Sequence, residues 1–586
     1  MKKTLLFLLL LLSALLLYWH IGLHPAMPSA AAPAPAQEKT GTKILLVPLD
    51  SRPPCKDFVI DAGRIGGIEV VTPPTELLDY YSAPGNTEGE RQWLMEHAGE
   101  AQAMILSVDQ LLYGGLLTAR EKTASPEAIA ALTDDLRALH AAHPEVPIYA
   151  FSILPRMNPQ DSIDGLQERK DLMRYSRLVG KRAAGLSLDA AEQSEREALL
   201  QRIPADSMQK YLAHFEENEA LNKALAALVK AGTLHMLVLG QDDGEPYSIP
   251  NIEKAHIQTY LTEQGLAEPQ VYVVHGADEL ALDLLARIDN DANGRTPHIA
   301  LETGSPEMAD RVMPYMAVSC ETAAEEKIRL IGGTRVSPAD GQTPDVTLFL
   351  SAIDLEKDLF DTRRASAARI EQGVKKGEAL ALVDLSKHFS ENETLLPFLQ
   401  DSDAPLPKLA AYAGWNTTSN AVGTALAEAS LYLGHFPAAA DDTQAMAIYR
   451  TQLTFLCNRM VEDTFYLKDS IDTVNDNLKK AGWQNTADLD LEKNYRTANA
   501  MMHQALTSRV ETFQSAPAIS APFSLTLPGG QKRCTLKKLP FEASYPWPRT
   551  FEIRLETHPY LEGSQDKAND SPLLTITTIL RRVCCC

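Results

Sequence analysis

The stretch "HMLVLGQDDGEPYSIPN", residues 235–251, passes from an apolar run into a set of carboxylates within a few positions. Met236 to Leu239 are apolar, Gly240 follows, and then come Gln241, Asp242, Asp243, Gly244 and Glu245. An uninterrupted apolar run closed by glycine and acids reads as a buried strand emptying into a loop. Burial on both faces is the property of strands in a parallel sheet covered by helices; a sheet with one wet face alternates instead.

Working outward, the pattern recurs on both sides. Upstream lie "KILLVPLDSRP" (43–53), "AMILSVDQ" (103–110) and "PIYAFSILPR" (147–156). Downstream lie "VYVVHG" (271–276), "HIALETG" (298–304), "VTLFLSAID" (346–354), "ALALVDLS" (379–386) and "LAAYAGWN" (409–416). Segments between them, such as "SPEAIAALTDDLRALHAAH" (125–143), carry apolar residues at helical spacing. Strands alternating with helices predict an α/β fold, a mostly parallel sheet with covering helices. Nine candidate strands suit an eight-stranded barrel with one extra run or a wide doubly wound sheet; the barrel-like arrangement is preferred.

The chain's 586 residues exceed one ordinary core. The α/β pattern spans 42–436, with an Arg-, Glu- and Gln-rich insert between 157 and 233 that reads as helices added to a loop. A purely helical segment follows over 437–515, and a small β-rich domain with a Pro-Gly-Gly turn over 516–580. At the N-terminus, Lys2 and Lys3 precede an apolar stretch from Leu5 to Leu17 and an Ala/Pro-rich linker. Residues 1–38 therefore read as a signal peptide or an uncleaved membrane anchor, and the remainder as extracytoplasmic. Cys55, Cys320, Cys457 and Cys534 show no CxxC or metal spacing, and the terminal Cys584 to Cys586 belong to no recognisable element. A hydrophobic content of 45% allows a real core, and a net charge of -22 argues against nucleic acid as a partner.

In parallel α/β architectures ligands sit where the carboxyl ends of the strands open into loops. Those ends carry Asp50 and Arg52, Asp109 and Gln110, Arg156, the Gln241–Asp243 set, His275, Glu302, Asp354, Asp384, Trp415 and Asn416. Each has an ordinary alternative, since an acid after a strand is often the N-cap of the next helix. As a set they suggest a polar binding site. Arg52, stiffened by Pro53 and Pro54, offers a fork for a carboxylate or sugar hydroxyls. Tyr113 precedes a Gly-Gly pair, and Trp415, Asn416 and Asn420 read either as a sugar platform or as a buried Trp beside a helix cap.

The motifs "PLDSRPP", "DQLLYGGLL.AR", "GQDDGEPYSIPN", "ALVDLS" and "AYAGWNTTSNAVGTALA" resemble the landmarks of a bacterial family catalogued as domain of unknown function 4127. The resemblance spreads over residues 43 to 500 and implies no catalytic assignment.

The chemistry these residues point to is that of an extracytoplasmic hydrolase, foremost a glycoside hydrolase. Two like charges held close resist joint ionisation, so adjacent Asp242 and Asp243 divide into a protonated and an ionised partner. On that expectation Asp243 is the acid and Asp242 polarises the substrate, with Glu245 a substitute for either. Asp50, Arg52, Asp109, Gln110, Tyr113, Arg156, Glu245, Asp384, Trp415, Asn416 and Asn420 are the expected substrate-binding residues. This reading requires no cofactor and assigns no metal ligand; its partner is a glycan or another small polar molecule. Two alternatives stay open. One is a metal-dependent hydrolase of phosphate or amide bonds, with Mg²⁺, Mn²⁺ or Ca²⁺ among Asp50, Asp109, Asp242, Asp243 and Asp384. The other is a cell-surface protein that binds glycan without cleaving it. No GxSxG, phosphate-loop or dinucleotide signature is present.

Overall fold

All nine apolar runs form strands, and two short strands join them. In chain order they are β1 (Thr42–Val47), β2 (Ile68–Val71), β3 (Ala103–Ser107), β4 (Ile148–Leu154), β5 (Met236–Gln241), β6 (Val271–His275), β7 (His298–Thr303), β8 (Thr334–Arg335), β9 (Val346–Ile353), β10 (Leu380–Ser386) and β11 (Ala411–Ala413). The computed structural model describes residues 41–358 and 360–563, and Gly41–Gly563 form one unit. The N-terminal apolar segment and the terminal cysteines lie outside the described residues. Among the described residues no helix is long and apolar enough to cross a membrane.

The preference for a barrel is corrected. The strands make two open parallel sheets, one of six in the order β2-β1-β3-β4-β5-β6 and one of five in the order β11-β10-β9-β7-β8. A barrel needs each strand to pair with the next around a closed ring. Here β2 turns back to lie outside β1 and β8 turns back outside β7, so each sheet reverses direction once and keeps two free edges. Read from its short end, the second sheet runs 8-7-9-10-11, the same order as 2-1-3-4-5 in the first.

Residue alternation explains the layers. Leu45, Val47, Met104, Leu106, Ala150, Leu237 and Leu239 face helices Thr87–His97, Pro126–Ala142, Ala205–Lys230 and Ile249–Gln264. Ile44, Leu46, Ile105, Phe151, Val238 and Val274 point the other way, into a core continuous with Ile299, Leu348, Leu350 and Leu382 of the second sheet. Helices Asp57–Ile65 and Leu280–Ala292 lie against the first sheet and against Thr418–His435, which itself packs on β10 and β11. Within this shared layer the fully buried Lys327, on helix Cys320–Leu330, sits 2.5 Å from Glu279 and 3.1 Å from Asp283. A buried ion set of this kind contributes specificity of docking more than stability.

The insert between β4 and β5 is helical: Leu166–Ala183, Ala190–Arg202 and Ala205–Lys230. Gly180, on the first of these, lies directly against the backbone of Ser248, whose Cα is 2.6 Å from where a Cβ would stand. Gly180→Ala must therefore push this helix off the loop that follows Asp243. Overpacking against backbone costs about 1–3 kcal/mol, and a fall in melting temperature of several degrees is the expected result. An unchanged melting curve would show that the two segments are not in contact.

After β11 the chain is helical through Asp442–Met460, the π-helical Val461–Ser470, Ile471–Lys480 and Tyr495–Ser515. Antiparallel strands follow: β12 (Phe523–Leu527), β13 (Gly530–Lys538), β14 (Phe541–Ser544), β15 (Arg554–Thr557) and β16 (Tyr560–Glu562). Pro528 and Gly529 form the two-residue loop between β12 and β13, whose pairing closes at Leu527 and Gly530. Along β12, Phe523, Leu525 and Leu527 are buried while Ser524 and Thr526 are exposed, the period of a sheet with one wet face. This C-terminal part reaches back to β1, where the Trp547 indole donates to Ser51 Oγ at 3.0 Å.

Candidate functional site

The carboxyl ends of β4, β5 and β6 are in register, Leu154 beside Gln241 and Gln241 beside His275. The residues that follow enter one cleft of about 520 Å³. The first sheet supplies Arg52, Arg120, Arg156, Asp242, Asp243 and Asp278. Tyr315, Phe389, Asn416 and Asn420 come from the second, and Arg549 and Phe551 from the C-terminal part. The two sheets thus open their carboxyl edges onto a common space. The loops of the two sheets are also hydrogen-bonded to each other: Gly244 N donates to Tyr315 O at 3.0 Å.

At the end of β5, Asp242 and Asp243 have different surroundings. Asp242 is buried and receives a two-pronged bond from Arg120, Nε to Oδ2 and Nη2 to Oδ1, each 2.8 Å. The Asp243 amide donates to Asp242 Oδ1 at 2.8 Å. Burial alone would raise the Asp242 carboxyl, but the Arg120 and Arg156 guanidiniums overcome it and hold it below the usual carboxylate range. Asp243 is half-buried, and its carboxyl has no partner among the described residues. Burial, reinforced by the charge on Asp242, pushes it up to about 7. One member of the pair is thus a fixed anion and the other a free group that titrates near neutrality.

Arg52 is built into the wall. Its Nη2 lies 2.6 Å from Asp50 Oδ2 and 2.8 Å from Asp278 Oδ1, and its guanidinium sits 5.3 Å from the centre of the Trp547 ring. Asp50 lies beneath Arg52, fully buried, and holds the loop through Arg52 N at 3.0 Å. Asp79 accepts from Ser51 N at 2.8 Å, and burial together with the Asp50 charge pushes its carboxyl up to about 8. Asp50, Cys55 and Asp278 bring ligand atoms within 4.8 Å of one another, a spacing that could hold a cation. The Arg52 fork already neutralises both carboxylates of that set, and burial pushes the Cys55 thiol well up. Those donors are committed to the guanidinium, and they do not fit a metal ion unless Arg52 withdraws.

Across the cleft the backbone is strained. The described non-glycine residues with left-handed φ are Tyr81 (54°), Tyr315 (64°), Phe389 (52°) and Asn416 (46°), and the last three line the cleft. Such conformations cost about 1–3 kcal/mol each and persist where the surroundings over-determine them. The chain two residues before Asn416 is firmly held. Gly414 N donates to Asp463 Oδ2 at 2.8 Å, while the buried Lys468 ammonium donates to Gly414 O (2.8 Å), Asp463 O (2.9 Å) and Asp384 O (3.2 Å). Both groups sit on the π-helical turn, a geometry often found at functional sites. Asn416 leads into helix Thr418–His435, whose first turn brings Thr417 and Asn420 to the cleft.

Of the residues expected from sequence, Arg52, Arg156, Asp242, Asp243, Asn416 and Asn420 line the cleft and Asp50 supports it. The others do not belong to it. Asp109 turns back to accept from Ile153 N at 2.9 Å, and Gln110 donates to Glu90 at 2.6 Å. The Tyr113 hydroxyl bonds Glu217 at 2.7 Å, and Glu245 is clasped by Arg177 with both bonds 2.6 Å. Asp384 accepts from the amides of Leu395 and Leu396 and from the Tyr412 hydroxyl. Trp415 is 1% exposed and packs against Phe551 at 5.7 Å, so it offers no open face to a sugar. The oxygen-rich metal set is dispersed for the same reasons: Asp109 and Asp384 are bound to backbone amides, Asp50 and Asp242 to arginines.

Sequence reading missed Arg120, Asp278, Tyr315, Phe389 and Arg549. Arg120 closes the motif that also contains Asp109, and Asp278 stands two residues beyond "VYVVHG", so both were within reach of a longer window. Arg549 and Phe551 carry no local signal; they arrive because the C-terminal strands fold back onto the β1 loop.

Neither the curated proteins nor the solved structures contain a match to this chain. A family model does match, over residues 44–556, a span that takes in every cleft residue from Arg52 to Phe551. The chain therefore belongs to the family described as protein of unknown function (DUF4127).

Proposed function

We propose that the protein is an extracytoplasmic hydrolase of glycan-type substrates, with Asp243 as the proton donor. The observation that carries this reading is the divided pair at the end of β5: Asp242 fixed as an anion by Arg120, Asp243 unpartnered at the cleft and pushed up to about 7. In glycoside hydrolysis one carboxylic acid protonates the departing oxygen while an ionised carboxylate stabilises the sugar cation or activates water. The glycosidic C–O bond breaks, the leaving oxygen takes the Asp243 proton, and the hydroxyl of water joins the anomeric carbon. The second water proton restores Asp243. Asp242, or Asp278 fixed by Arg52, supplies the negative charge. The Lys2–Lys3 and apolar N-terminal sequence supports a site of action outside the cytoplasm.

The test is a screen of the protein against chromogenic glycosides followed by a pH profile of kcat/KM. The acid form of Asp243 is present below a pH of about 7 and falls roughly tenfold for each unit above it. Activity should therefore decline on the alkaline side with a midpoint near neutrality. A rate that keeps climbing from pH 6 to 9 would remove Asp243 as the donor.

A further inference from the structure

Among the guanidiniums of the cleft, one has no counter-charge of its own. Arg52 is held by Asp50 and Asp278, Arg120 by Asp242, and Arg549 by Glu552 at 2.8 Å. Arg156 follows β4, its Nε is buried with no hydrogen-bond partner, and no ion-pair partner for it occurs among the described residues. The charges that act on it are Arg120, which repels it, and Asp242, Asp243 and the exposed Asp161, which attract it; Asp242 is already committed to Arg120, and none of the three forms an ion pair with Arg156.

Arg156 is half-buried and lines the cleft, with its Nε shut off from water and unbonded; a charge-assisted, two-pronged bond to a ligand would satisfy it. The guanidinium is planar and always charged, so what completes it is an oxyanion that accepts two parallel bonds. The opposite wall suits the same ligand. The first turn of helix Thr418–His435 faces the cleft through Thr417 and Asn420, and a helix N-terminus favours negative charge. We propose that the cleft takes an acidic saccharide, one bearing a carboxylate or phosphate group, and that Arg156 is the residue that grips this group. The inference rests on the hydrolase reading for the saccharide part; the anion grip stands on Arg156 alone.

The experiment measures the thermal shift and calorimetric affinity of the full chain for glucuronate, glucose 6-phosphate and glucose. Wild type should bind one or both acids and not glucose. Whichever acid binds identifies the oxyanion. Arg156→Gln should weaken that binding by about tenfold or more, and Arg156→Lys, which keeps the charge and loses the fork, should fall between. Folding of Arg156→Gln is not at stake, because the change removes an unpaired charge; its melting temperature without ligand checks this. Asp243→Asn should bind at least as well as wild type, since it keeps Arg156 and cannot carry a negative charge. Absence of acid binding in wild type, equal binding of glucose, or unchanged affinity in Arg156→Gln would each overturn the proposal. Acid binding by a wild-type protein that turns over no glycoside would instead overturn the hydrolase reading and leave the anion site standing.

Discussion

Asp243→Asn is expected to lower turnover on a responsive glycoside by at least about a hundredfold, the lower bound for loss of a general acid. Asparagine has nearly the same shape and cannot give up a proton. The Asp243 carboxyl anchors nothing among the described residues, so the substitution should leave the melting temperature close to wild type. Its amide still donates to Asp242 Oδ1, which keeps the loop in place. The alkaline limb of the pH profile should vanish along with the rate, because the group that titrates near 7 is gone. A variant with a hundredfold loss and an unchanged profile would mean that another residue supplies the proton. One with near-normal turnover would remove Asp243 from the chemistry.

Arg52→Ala should give the greatest loss of stability of any single change in the cleft wall. The side chain neutralises two buried carboxylates at once and stacks on Trp547. Removing one partner of a buried ion set leaves charge without compensation and typically costs about 3–5 kcal/mol. Here Asp50 and Asp278 would face each other with oxygens within 4.8 Å. Adding Asp278→Asn to Arg52→Ala removes one of the two stranded charges and should recover part of the loss. Denaturant unfolding of the two single variants and the double variant reads this coupling directly. An Arg52→Ala protein within about 1 kcal/mol of wild type would show that the wall relaxes or admits water, and the bridging role would be lost.

Much of the architecture is legible in the sequence because burial on both faces leaves a local mark. Val346 to Ile353 is buried at every position, and the run "VTLFLSAI" announces it. The strands that escape notice are those without that mark: β2 has Glu69 exposed and β8 is two exposed residues. Pairing order leaves no local trace at all, since β1 looks the same whether β2 lies outside it or the chain closes a ring. That is why a barrel and two open sheets could not be told apart from composition and period. The site divides in the same way. Position after a strand is readable, but the direction of a side chain is not. Asp109 and Arg120 share one motif, yet the first bends back to Ile153 N and the second crosses to Asp242. Trp415 and Asn416 are neighbours, yet the ring of the first lies in the core while the second lines the cleft.

A crevice between two α/β sheets suggests a pair of jaws, and jaws need a hinge. The helices shared by both sheets, with Lys327 locked among Glu279 and Asp283, leave no plane along which one half could swing without tearing a continuous interior. Admission of a guest must then fall to the rim, where Tyr315, Phe389 and Asn416 hold their backbones under tension. On the proposed function, selection among guests would be the work of a doorway of loops in a fixed frame.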